Sequence, residues 1–201
     1  MFKAISDRQC TRGLYDGRPL TASELKTLEA SVTGNGVRVL LFTAKPDIEK
    51  IPELVIHGNT LQMKDAAFVR ELKQWLRFSG SRAVELGDGL YSAASGSPSL
   101  PRWLGSPLFD IMFRANSEND KYARQTRSSA GIAVFVSEVD DKTHWIEAGR
   151  CCERFALQAT SMGIRNAMLN QTVEVPSTRR AGKFSRLESW PTRIGAALWA
   201  W

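Results

Sequence analysis

Thr143–Gln171, THWIEAGRCCERFALQATSMGIRNAMLNQ, is the stretch whose reading decides the fold. Trp145, Ala148, Gly149, Cys152, Phe155, Ala156, Ala159 and Met162 recur at three-and-four spacing, as one face of a helix does when it lies on a core. Glu147, Arg150, Arg154, Gln158 and Ser161 form a narrower polar stripe. Ile146, Cys151 and Leu157 widen the apolar side, so this helix is expected to be covered around much of its girth. Gly149 costs about 1 kcal/mol relative to Ala inside a helix. With Ala148, Cys152, Ala156 and Ala159 it makes a shallow surface on which another helix can lie close. Gly163 supplies a C-terminal stop, and a short apolar run then leads to the polar pair Asn170-Gln171. A buried helix ending in such a loop is a scaffold that holds something at its end.

Working outward, Gly131–Ser137 (GIAVFVS) precedes this helix and Val37–Thr43 (VRVLLFT) lies far upstream; both are nearly all apolar and read as buried strands. Thr21-Ala22-Ser23-Glu24 has capping-box spacing and opens a helix with Leu25, Leu28 and Val32 on one face, ended by Gly34-Asn35-Gly36. Asp65 caps a helix in which Phe68, Val69, Leu72, Trp75 and Leu76 recur at helical spacing, and its aromatics read as core. Asp47–Thr60 stays open: Pro52 suits the first turn of a helix, while Leu54-Val55-Ile56 suits a strand. Ser79–Ser106 is rich in Gly, Ser and Pro and reads as a long lid-like loop, with Trp103 inside it. Two short helices are expected over Pro107–Ala115 and Asn119–Arg127, and a last strand over Thr192–Trp199. Strands separated by helices give an α+β sandwich in a single domain spanning residues 1–201.

With 201 residues, the chain can bury about 70% of its unfolded surface, enough for one generous core. No run approaches the roughly 20 apolar residues of a membrane span. The opening MFKAISDRQCTRG has no apolar signal-peptide core, and three cysteines, two of them adjacent, make neither a disulfide framework nor a metal spacing. Reduced thiols in a cytoplasmic protein are the expectation. The formal charge of +6 reads first as a solvated surface and second as suited to a phosphate-bearing small molecule; no nucleic-acid module pattern accompanies it.

His57 and His144 are the only histidines, and neither sits in a nucleophile or metal arrangement. HxxxH, CxxC, GxSxG and GxxxxGK patterns are absent. Any reaction is therefore expected to be carried by a bound cofactor. Arg8 and Arg12 stand four residues apart, which on a short helix projects both to one side. Guanidinium forks match phosphate oxygens in two places, while a solvated basic turn is the plainer reading of the pair alone.

Arg8-Gln9-Cys10-Thr11-Arg12 resembles the R-R-S-x-R opening of the FMN-dependent nitroreductases. Asn35 before the first strand, the Gly131–Ser137 strand, Gly149, Leu157 and Gly163-Ile164 are similar to that family in order and spacing. Trp75–Phe78 (WLRF), Asp88–Leu90 (DGL) and the LNQ before Val173-Glu174 resemble its Acg-like FMN-binding oxidoreductase branch. The resemblance implies an α+β nitroreductase-like sandwich: a central, mostly antiparallel sheet flanked by helices, homodimeric, with FMN in each of two interface clefts. It assigns the FMN phosphate to Arg8 and Arg12, ribityl or ring oxygens to Gln9, Cys10 and Asn35, and the isoalloxazine edge to the chain around Leu169, Asn170 and Gln171. Hydride would pass from NAD(P)H through flavin N5 to an electron-poor acceptor such as a nitroaromatic or quinone, with neither nucleic acid nor membrane as a partner. The alternative is an FMN-binding or FMN-sequestering protein with an occluded cleft. Gln9 and Cys10 depart from the family opening by replacing a basic residue and a serine, and Cys10 is a weak donor.

Overall fold

Ile132–Ser137 (β4) is buried at every position because it runs through the middle of the protein and both its faces are covered. The computed structural model describes residues 1–95, 99–101, 104, 109, 115–175 and 197–200. In chain order the helices are α1 (Ala22–Ser31), α2 (Lys45–Ile48), α3 (Ile51–Lys64), α4 (Ala66–Trp75), α5 (Gly80–Leu86), α6 (Ala115–Ser128), α7 (Lys142–Ser161) and α8 (Gln171–Glu174). Strands β1 (Val37–Phe42), β4, β5 (Ala167–Met168) and β6 (Ala197–Ala200) form one sheet in the order β1-β4-β6-β5. Every pairing in it is antiparallel. A separate parallel pair joins β2 (Leu76–Arg77) to β3 (Leu90–Tyr91).

The period-two geometry of a strand divides β4 between two cores. Ala133 and Phe135 face α1 and α7, where they join Leu28, Cys151, Cys152, Phe155, Ala156 and Ala159. Phe135 and Phe155 meet edge to face with ring centroids 5.5 Å apart. Ile132, Val134 and Val136 face the other way, onto Ile48 of α2, Ile51 and Val55 of α3, and Leu169. The result is a sandwich of helices, sheet and helices, the expected α+β class.

α7 has the expected bounds to within a residue or two. Asp141 caps its start by accepting from the His144 N–H at 2.8 Å. At its end Gly163 takes φ +74°, the Gly163 N–H bonds Thr160 O at 3.0 Å and the Ile164 N–H bonds Ala159 O at 2.9 Å. That is a Schellman stop, in which a left-handed residue satisfies carbonyls the helix leaves open. The expected girth of cover is narrower than the sequence suggests: Trp145 is 48% exposed, Ile146 66%, and Gly149 is exposed with nothing near its Cα. Of the small-residue face, Ala148, Cys152, Ala156 and Ala159 are buried in one cluster with Leu28, so the helix that lies close on this face is α1 of the same chain.

Several other expectations change. Asp47–Thr60 resolves into the end of α2 and most of α3, with Pro52 in the first turn. α4 starts at its Asp65 cap as expected, yet buries no residue, and Trp75 is 48% exposed; its aromatics are not core. The Ser79–Ser106 loop contains α5 and β3: Ser79 caps α5 by accepting from the Arg82 N–H at 3.4 Å, and Gly87 closes it. Ser and Gly here are helix punctuation, which composition alone cannot tell from loop. The second of the two expected short helices starts earlier, as α6. The Thr192–Trp199 strand is present as β6, within the described Ala197–Ala200. Trp103, most of Pro107–Ala115 and the basic segment Pro176–Arg186 lie outside the described residues.

Candidate functional site

The residues that follow β5 are placed by α3. A Cβ on Gly58 would lie 2.8 Å from the backbone of Gln171 and of Thr172, so only glycine lets α8 rest directly on α3. One helical turn further on, Gln62 Nε2 donates to Glu174 Oε2 at 2.7 Å. Glu174 Oε1 accepts from Asn170 Nδ2 at 3.3 Å. Leu169 is 1% exposed and its side chain fills the second core, so only its backbone is available to a ligand.

The N-terminal segment runs alongside. Cys10 bridges Asn166 in parallel, and the Thr11 N–H donates to Asn166 O at 2.8 Å. Tyr15 Oη donates to Thr11 O at 2.9 Å, and Gln125 of α6 donates both to Thr11 O and to the Tyr15 hydroxyl. Burial, opposed by the Gln125 hydrogen bond and helped by the charge of Cys10, pushes the Tyr15 phenol up to about 12. Tyr122, one turn before Gln125, sits between the two segments. Burial raises its pKa, as does the charge of Glu118, while Arg12 and a hydrogen bond from Gln171 lower it. The Arg12 charge and the Gln171 side chain thus both act on Tyr122, although they belong to separate stretches of chain.

At this seam the protein leaves polar atoms unpartnered. Asn166 is 1% exposed, yet both its amide atoms lack a hydrogen-bond partner, and so do Asn170 Oδ1 and Gln171 Oε1. A buried polar atom without a partner costs about 1–3 kcal/mol, so a run of them within six residues is the mark of a surface made to meet something else. Neither Asn166 nor Tyr122 was singled out from sequence. A polar residue inside the run Ile164–Leu169 marks the first, and the Glu118, Tyr122, Gln125 stripe on α6 marks the second.

The other candidates are placed as follows. Arg8 is held by Glu153 of α7 at 2.8 Å, with both side chains partly exposed. Gln9, Cys10 and Arg12 are exposed. Asn35 is also exposed and lies in a different neighbourhood, the turn between α1 and β1. Its neighbours Gly34 and Gly36 pack on Cys151 and Glu147 and on His144 of α7. One chain thus brings Cys10, Arg12, Asn170 and Gln171 to a shared seam, with Arg8 to one side and Asn35 apart. No cluster of His, Cys, Asp and Glu among the described residues fits a metal, and no described helix is long and apolar enough to cross a membrane.

This architecture, with the N-terminal segment laid along the strand that follows the long helix, is that of the nitroreductase fold. The chain matches a nitroreductase with bound FMN from Desulfitobacterium hafniense DCB-2 over 99% of its length and 86% of that chain, at TM-score 0.57 and 18% identity. It matches the FMN-dependent nitroreductase NfnB from Mycobacterium smegmatis, solved in complex with NADPH, over 98% and 85%, at TM-score 0.56 and 10% identity. A nitroreductase with bound FMN from Bacteroides fragilis NCTC 9343 matches over 98% and 84%, at TM-score 0.53 and 14% identity. No family model and no curated protein sequence matches the chain.

Proposed function

We propose that this chain is an FMN-dependent oxidoreductase that passes hydride from NAD(P)H to an electron-poor acceptor, a nitroaromatic or a quinone. The observation that carries the reading is the run of buried, unpartnered amide atoms at Asn166, Asn170 and Gln171, with the Arg12 charge acting on the neighbouring Tyr122. A flavin edge, with its carbonyls, ring nitrogens and imide N–H, offers the mixture of acceptors and donors such a run needs. When bound, FMN supplies hydride transfer at its N5.

The chain's own residues bind and orient. Arg12 is free to take a phosphate oxygen, and Arg8 can join it by exchanging Glu153, since an exposed ion pair holds only about 0–1 kcal/mol. Gln9 donates through its amide; Cys10 contributes less through its thiol than through a backbone pinned to Asn166. The Gln171 N–H lies in the first turn of α8, where it has no intrahelical acceptor, so it is a fixed donor for negative charge on the reduced ring. Asn35 serves the cleft of a second copy in this reading. Phe2 at 88% exposed, together with Ile5, Trp145 and Ile146, gives a homodimer apolar surface to bury.

The purified protein, as isolated or after addition of FMN, should show flavin absorption bands that bleach under anaerobic NADPH or NADH. A colourless protein that takes up no FMN overturns the proposal. A flavin that binds and does not bleach identifies a flavin-holding protein instead. The observation on that side is the Phe78 carbonyl, which accepts from the Leu100 N–H at 2.8 Å and from Ser99 Oγ at 3.4 Å, tying down Ser99 and Leu100.

A further inference from the structure

Asn170 is held in one orientation by its partner. Glu174 offers only acceptors when ionised, so the amides that meet it must both turn their NH2 groups toward it: Gln62 at 2.7 Å and Asn170 at 3.3 Å. Asn170 therefore has to point Oδ1 the other way, where it is buried and unpartnered beside the equally unpartnered Oε1 of Gln171. Gln62 stands on the helix whose Gly58 carries the backbone of Gln171 and Thr172, so the orientation is set from a rigid element.

We propose that Glu174, itself held by Gln62, is a positioning residue that acts through Asn170, making this wall of the site an acceptor surface for an amide-type N–H of the ligand. The inference rests on the flavin reading above. Two groups in that reading carry such an N–H: the imide of the flavin ring and the carboxamide of a nicotinamide. Both would be met by an oxygen at position 170; an NH2 there opposes the imide N–H, and makes the carboxamide turn its carbonyl to the wall instead.

Glu174→Gln tests this with little change of shape. With Gln62 still donating from its rigid helix, the introduced side chain keeps an oxygen for it and turns its own NH2 to Asn170, which then flips and presents its NH2 to the ligand. Exchanging the two chemistries, Asn170→Asp with Glu174→Gln, restores an outward oxygen, because the introduced carboxylate accepts from the introduced amide and keeps its second oxygen free. FMN affinity is measured by flavin fluorescence. The nicotinamide arm uses the FMN-loaded protein with the non-reducible probe 1,4,5,6-tetrahydro-NADPH. Thermal melting of each ligand-free variant checks the fold.

The single variant should bind one of the two probes roughly 10-fold more weakly, and the visible band shape of its bound flavin should change if FMN is that probe. The exchanged pair should return to within about 3-fold of wild type, a rescue that a merely structural Glu174 would not produce. Loss in the FMN arm assigns the imide, and loss in the nicotinamide arm assigns the carboxamide. Wild-type protein that binds FMN while Glu174→Gln binds both probes unchanged overturns this inference alone, as does a loss the exchange fails to reverse. Wild-type protein that binds no FMN overturns the flavin reading and this inference together.

Discussion

On the α7 side of the sheet, Phe135 meets Phe155 edge-on amid alanines and cysteines that are all buried. On the α3 side, Val134 and Ile132 pack on Val55 and Leu169, and one residue beyond Leu169 the apolar lining gives way to amides with unpartnered atoms. The same strand supports both. The first side is complete in itself; the second stops short, and the missing partners collect within Asn166–Gln171. Adjacent side chains of β4 thus support two cores of different completeness, which keeps the costly polar atoms away from the Phe135–Phe155 side.

Four experiments break or sharpen this division. Phe155→Ala removes an aromatic pair from the complete side and should cost about 3–5 kcal/mol in urea unfolding, while FMN affinity of the folded fraction stays near wild type. A comparable loss of affinity would show that the two sides are not independent. Gly58→Ala pushes a methyl into the backbone beneath the seam. It should cost about 1–3 kcal/mol and, unlike Phe155→Ala, weaken FMN binding as α8 lifts from α3. Arg12→Ala should leave the unfolding midpoint nearly unchanged while raising the FMN dissociation constant roughly 10-fold or more, the size of a lost charge-assisted hydrogen bond. Arg8→Ala, starting from an arginine already paired with Glu153, should do less.

The smallest effect concerns Tyr15, whose phenol is held up to about 12 against its ordinary 10. Between those values the unfolded chain has lost this proton and the folded one keeps it, so stability falls as pH rises through the window. The contribution is fully present below pH 10. Tyr15→Phe should cost about 1 kcal/mol near neutrality through its lost hydrogen bonds. It should also flatten the fall in stability between about pH 10 and 12, followed by denaturant melts at stepped pH.

The sequence made the complete side legible because that side obeys periodicity. The unbroken apolar run of β4, three-and-four spacing in α7 and the Gly163 stop are local signals, and the structure realises each of them. α4 shows the limit: its pattern marks an apolar face correctly, but a pattern cannot say whether the chain itself covers that face, and here it does not. α5 was hidden because serine and glycine cap helices and also make loops. At the site, the arginines and the Asn170-Gln171 pair were visible as chemistry. Asn166 and Tyr122 were not, since their meaning depends on contacts between segments more than forty residues apart, the N-terminal run, α6 and α8. The Leu169 side chain fills the core, which leaves the backbone as the part of this residue that the sequence reading offers to a ligand.

β6 pairs with β4 on one edge and β5 on the other. On a ribosome, β1 and β4 can zip together as soon as residue 137 is out, but β5 has no strand beside it until Ala197–Ala200 arrive. Until then the free edge of β4 is an unprotected template for any passing strand. The nascent chain thus carries that hazard while the residues between 137 and 197 are made, at about 5–20 residues per second for several seconds. Expression at low temperature, or with a holdase present, should therefore matter more for the yield of this protein than its final stability does.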